Sequence, residues 1–176
     1  MYRIANRITT ALAVLLGALL IQTTFAPSLA ILGTVPNFLL VGVVVMAFVY
    51  GSAQGTMIGF VAGLAYDLIG TATVGPMALT LTLTGFAAGM LQEQIFAAGW
   101  LLPVSVLGVT SLLTETLYLS ILLLLGERLS FGTALLTRAL PGALYAMFIG
   151  VLLFPFLSRL VRKAQKTDVN TFKRIA

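Results

Sequence analysis

Cysteine and histidine are absent from the 176 residues, charged residues make up only 9% of them, and tryptophan occurs once. Without cysteine there is no disulfide framework and no thiolate nucleophile. Without histidine the commonest general base and the commonest metal ligand are both missing. No nucleophile–base arrangement can be assembled from the remaining residue types, and no metal-ligand cluster or phosphate-cradling loop is written in the chain. The expectation is a protein that is not an enzyme and holds no metal and no cofactor.

The shortage of charge is also a statement about solvent. Hydrophobic residues make up 60% of the chain and its mean hydropathy is +1.09, more than a soluble domain of this size can bury in one core. Between Arg7 and Asp67 no formal charge appears, a stretch longer than two membrane spans of about 20 residues each. The reading is an all-α integral membrane protein. Apolar segments fall at 8–25, 36–50, 53–68, 76–91, 101–125 and 140–157, which gives a six-helix transmembrane bundle in one polytopic domain, residues 1–158, with a basic tail at 159–176. The first segment exceeds the roughly 7–15 apolar residues of a secretory signal, so it reads as an uncleaved span.

The charge that is present lies at the two ends. Of ten cations, eight are Arg3, Arg7, Arg159, Arg162, Lys163, Lys166, Lys173 and Arg174. Lys and Arg accumulate on cytoplasmic flanks, so both termini are expected in the cytoplasm and the number of crossings is even. The tail reads as a surface near anionic lipid, and nucleic-acid binding has no support. Segments 36–50, 53–68 and 76–91 are short, about 23 Å at 1.5 Å per residue against a hydrocarbon core of ~30 Å. Six crossings, or four crossings and a helical hairpin from 36 to 68, both satisfy the charge rule.

Glycine is where the sequence is most patterned. Gly51, Gly55, Gly59 and Gly63 recur every fourth residue and lead to Asp67, with Gly85 and Gly89 as a weaker pair on the next segment. With 17 glycines in 176 residues, three more at set positions arise by chance roughly one time in a thousand. Such a ridge lets backbones approach closely in lipid. It either packs segment 53–68 within its own bundle or forms a groove for another protein's helix. Asp67 is either hydrated, or accepts hydrogen bonds from the 70–75 turn, or makes an intermolecular contact. Glu115 lies midway along the fifth segment with Ser111 and Tyr118 on nearly the same face; a mid-membrane carboxyl is a functional hypothesis by default. Arg138 reads as a snorkelling cation at the entry to the last segment.

Three stretches in order then carry a resemblance: Val35-Pro36-Asn37-Phe38-Leu39-Leu40, Gly59-Phe60-Val61-Ala62-Gly63-Leu64-Ala65-Tyr66-Asp67-Leu68, and Thr73-Val74-Gly75 before a small-residue helix. The chain resembles the rod shape-determining protein MreD family, most closely over 36–89, with Pro36, Asn37, Phe60 and Gly75 among the motif positions. The resemblance implies a multi-pass protein of the cytoplasmic (inner) membrane, a non-catalytic scaffold of the rod elongation complex. It would bind MreC, and indirectly MreB and the glycosyltransferase–transpeptidase pair, in support of side-wall peptidoglycan synthesis and cell shape. It also implies a fold similar to the substrate-binding subunits of energy-coupling-factor transporters. A competing expectation is therefore a substrate-binding membrane subunit of a vitamin transporter, and a weaker one is a lipid pathway using Glu115. Gly59, Gly63 and Asp67 fall in the motif and are expected to hold the bundle; Gly51 and Gly55 fall outside it and are expected to face the partner.

Overall fold

In a computed structural model, the backbone is described for residues 2–30, 34–70, 73–91, 101–126 and 130–175, and side chains for 9–30, 34–70, 73–91, 103–126 and 130–159. Residues 92–94, and the side chains of Arg3, Arg7 and the tail from Arg162 onward, lie outside the described residues. Among the described residues every regular element is helical. The elements are α1 (Tyr2–Thr24), a 3-10 turn (Ala26–Leu29), α2 (Phe38–Tyr50), α3 (Ser52–Ile69), α4 (Pro76–Met90), α5 (Leu101–Leu124), the short α6 (Phe131–Ala134), a π turn (Leu135–Ala139) and α7 (Leu140–Ile175). The stretch Leu79-Thr80-Leu81-Thr82-Leu83-Thr84, which alternates like a strand, is part of α4. Its threonines return their hydroxyls to carbonyls four residues back, as Thr84 does to Thr80 at 2.8 Å, and so satisfy themselves without a sheet.

The bundle is built around α2. This helix touches α1, α3, α4 and α7, while α1, α3, α4, α5 and α7 follow one another in a ring around it, with α7 returning to α1. Every residue from Leu39 to Val49 is buried. A helix apolar on all sides is the kind that belongs inside such a ring, and Leu39, Leu40, Val44 and Phe48 form the centre of the core. At 13 residues, α2 is about 20 Å long. Enclosed by neighbours, it has no lipid thickness to match.

Two helices, Pro103–Leu124 and Phe131–Arg159, are long and apolar enough to cross a membrane, and Thr9–Thr24, Phe38–Tyr50 and Pro76–Met90 are shorter apolar helices. The ring turns its apolar side chains outward, among them Leu16 and Leu20 on α1, Phe60 on α3, Phe86 on α4, Leu113 on α5 and Phe148 on α7. In water this surface would drive aggregation; in lipid it is the expected exterior.

Two boundaries differ from those read in the sequence. Pro36 does not open α2. The helix starts at Phe38, and Asn37 caps it by accepting from the Leu40 N–H at 2.9 Å. The last helix begins at Leu140 as read, but it follows directly on the turns from Phe131 and continues past 157 through the basic tail to Ile175. The Ser, Thr and Gly residues before Arg138 have low intrinsic helix preference; packing against α5 overrides it.

Candidate functional site

Two features of the bundle absorb nearly all the residues singled out in the sequence. The first is the seam between α3 and α4. A Cβ placed on Gly55 would collide with the Gly85 carbonyl, on Gly59 with that of Leu81, and on Gly63 with that of Met77. From the other side, a Cβ on Gly85 would meet the Gly55 carbonyl, and one on Gly89 the backbone of Ser52. The two helices therefore touch backbone to backbone along several turns, the close approach that small residues permit in lipid. Of the two readings of the ridge, these contacts match packing within the bundle, and the partner-facing role expected of Gly55 is corrected, because α4 of the same chain fills that position. Gly51 stands at the end of the seam, its carbonyl carbon against Gly89. It is the single residue between α2 and α3, at φ 89°, a conformation glycine adopts without strain.

Asp67 closes the end of this seam nearest the 70–75 turn. Buried at 7% exposure, its carboxylate accepts from the N–H groups of Gly75 at 2.9 Å, Met77 at 3.3 Å and Ala78 at 3.0 Å. The first N–H groups of a helix have no partner within it, and its N-terminus favours negative charge. The cap position of α4 is Gly75 at φ 121°, which has no side chain to do this. Asp67, one helix away, does it instead. Of the roles weighed for this acid, the geometry matches the one that ties the 70–75 turn, extended by two residues into α4.

The second feature is a cavity of about 400 Å³ at the same end of the bundle, away from the chain's N-terminus. Gln22 from the end of α1, Asn37 from the start of α2, Tyr66 from the end of α3, Thr114 and Glu115 from α5, and Arg138 from the π turn all line it. Tyr118 contributes from one turn further along α5, and Pro27, Thr34, Val35 and Met77 complete the wall. Glu115 is half-buried and Arg138 exposed, so the acid lies in the wall and the base at the rim. Asn37 and Arg138 line the same space as Glu115. Gly142 of α7 lies against the Glu115 stem, with Cγ 3.8 Å from where a Cβ would stand.

The rim is held by bonds that sequence reasoning missed. Gln22 donates from Nε2 to the Pro36 carbonyl at 3.1 Å, and its Oε1 accepts from the Phe38 N–H at 2.7 Å. Thr34 donates to the Thr137 carbonyl at 2.9 Å, and Tyr145 to that of Leu29 at 2.9 Å. Pro141 has no N–H to offer the carbonyl four residues before it. That carbonyl belongs to Thr137, and Thr34 supplies a donor. A lone Gln in an apolar first helix and a Pro one turn after Thr137 were the signals available. Deeper in, Thr84 and Thr114 share a hydrogen bond of 2.6 Å that joins α4 to α5. Of the motif positions, Asn37 lines the cavity, the Pro36 carbonyl accepts from Gln22 and Gly75 caps α4, whereas Phe60 points out of the bundle at 50% exposure. Among the described residues no group of His, Cys, Asp and Glu could hold a metal ion.

No curated protein and no solved structure matches this sequence. The family model described as rod shape-determining protein MreD matches residues 2–164. That span takes in the central α2, the α3–α4 seam and every residue lining the cavity, and the chain belongs to the MreD family.

Proposed function

We propose that this protein is a non-catalytic scaffold of the rod elongation complex, which binds MreC in the membrane and so supports side-wall peptidoglycan synthesis beneath a cytoplasmic MreB filament. Family membership over residues 2–164 is the observation that carries this reading, because it assigns the chain to rod shape determination. The topology that goes with it has six crossings and both termini in the cytoplasm, in keeping with the cations at the chain ends. The cavity then opens on the outer side. Contact with MreC falls on an outward face of the ring, since the glycine ridge is already filled by α4. Phe60 is the motif residue that leaves the bundle, and we place it in that contact with Met57, one turn earlier and 69% exposed.

Co-purification with MreC from membranes tests this. The unmodified chain is expected to retain MreC, and the double variant Phe60→Ala, Met57→Ala to lose most of it while remaining inserted at normal amounts. Failure of the unmodified chain to capture MreC would overturn the scaffold reading. Full retention by the double variant would remove only the assignment of the face.

A further inference from the structure

The scaffold role does not use the cavity, and the cavity is costly to maintain. An ionisable side chain in a membrane helix is unfavourable unless it pairs or lines a hydrated space. Glu115 sits in the wall of one, on the longest apolar span apart from the last helix, where an apolar residue would pack against Gly142 more cheaply. At about 400 Å³, the space lies within the range of small-molecule sites, roughly 300–1,000 Å³. Its shape is also fixed in advance. Gln22 and Thr34 tie the 34–38 segment to α1 and the π turn, and Tyr145 ties α7 to the 3-10 turn. Sites that bind small molecules are commonly pre-formed in this way, with few polar groups convergent on an enclosed volume.

The lining says what kind of molecule would fit. One acid faces the space from the wall and one guanidinium from the rim, so the two charges are set at different depths. Tyr66 and Tyr118 line the same space as the acid. An acid that shares a space with tyrosine rings suits an organic ammonium group, which a ring face and a carboxylate both attract. A guanidinium at the mouth suits a carboxylate or phosphate, which it can grip through two N–H groups. A ligand with only one of these charges would leave the other protein charge partly desolvated and unmatched.

We propose that this cavity is a binding site for a small zwitterion, a primary ammonium tethered to an anionic group, with the ammonium at Glu115 and the anion at Arg138. Two sources have that chemistry: an amino acid or short peptide, and the ethanolamine headgroup of a phospholipid. The site is independent of MreC contact, which lies on the outside of the ring.

The test uses the full chain in nanodiscs of phosphatidylglycerol, which lacks an amine, with binding followed by calorimetry. The probes are alanyl-alanine, its N-acetyl form, its C-terminal amide, and glycerophosphoethanolamine. At least one zwitterion is expected to bind, and each capped dipeptide to bind at least about tenfold more weakly than the parent, the loss expected for one charged hydrogen-bonded contact. Tight binding of alanyl-alanine identifies a peptide source, and preference for glycerophosphoethanolamine a lipid source. Glu115→Gln is expected to weaken the zwitterion about tenfold while leaving the N-acetyl probe unchanged. The proposal is overturned by absence of binding for every probe at millimolar concentration, or by capped forms that bind as well as the parent. The comparison of probes on the unmodified chain decides the matter even where Glu115→Gln does not insert.

Discussion

The α3–α4 seam and the cavity share an end of the bundle, and adjacent residues serve the two: Tyr66 lines the cavity and Asp67 closes the seam. They are opposite solutions to the problem of holding helices together in lipid. Along the seam all side chains are removed at the contact, backbones meet directly, and no space is left for a ligand or a partner. Around the cavity the helices are held apart at their ends, and polar side chains bridge to loops instead. Their two acids differ in the same way. Asp67 is satisfied by three backbone N–H groups and is buried, so its role is within the fold. Glu115 faces a space shared with Arg138 and two tyrosines, and is available to something that enters it.

That contrast can be broken by substitution, and the seam should break first. Gly59→Leu drives a branched side chain into the Leu81 backbone, which has no flexible end to yield. The expected cost exceeds about 3 kcal/mol, and the measurement is the amount of monodisperse protein recovered from membranes, which should fall to a small fraction of normal. Recovery at normal levels would mean that α3 and α4 are not in backbone contact. Next comes Asp67→Ala, which leaves three N–H groups at the start of α4 without their acceptor. A loss of about 2–3 kcal/mol is expected, read as a lower melting temperature in detergent, with Asp67→Asn recovering part of it through its remaining carbonyl oxygen. The smallest effect belongs to the cavity side. At Gly142 an added Cβ meets only Glu115 Cγ and Thr34 Cγ2, each at 3.8 Å, an ordinary contact. Gly142→Ala should therefore shift stability by less than about 0.5 kcal/mol, and a melting change as large as that of Asp67→Ala would show that the cavity wall is as tightly packed as the seam.

Much of this architecture was legible in the chain. The apolar segments at 53–68, 76–91 and 101–125 correspond closely to α3, α4 and α5, because each is bounded by Gly, Pro or a turn that ends a helix wherever it occurs. The glycine spacing announced a close helix contact for the same local reason. What it faced was not legible. A ridge at i, i+4 describes one surface only, and whether its complement is another protein or the Gly85 and Gly89 of the next helix depends on how the chain turns at 70–75. Glu115 was singled out by its depth, yet Gln22, Thr34 and Arg138 approach the same space from elements far away in sequence, and no periodicity links them.

The sequence by itself determined the solvent, the helical class and the family, because these follow from composition, from the spacing of small residues and from motifs that are each contiguous. Only the tertiary structure decided that α2 is the enclosed helix, that the chain fills its own glycine ridge, and that two opposite charges line one cavity. Those outcomes depend on contacts between residues as far apart as Thr34 and Thr137, and such contacts come into being only when separate helices pack together.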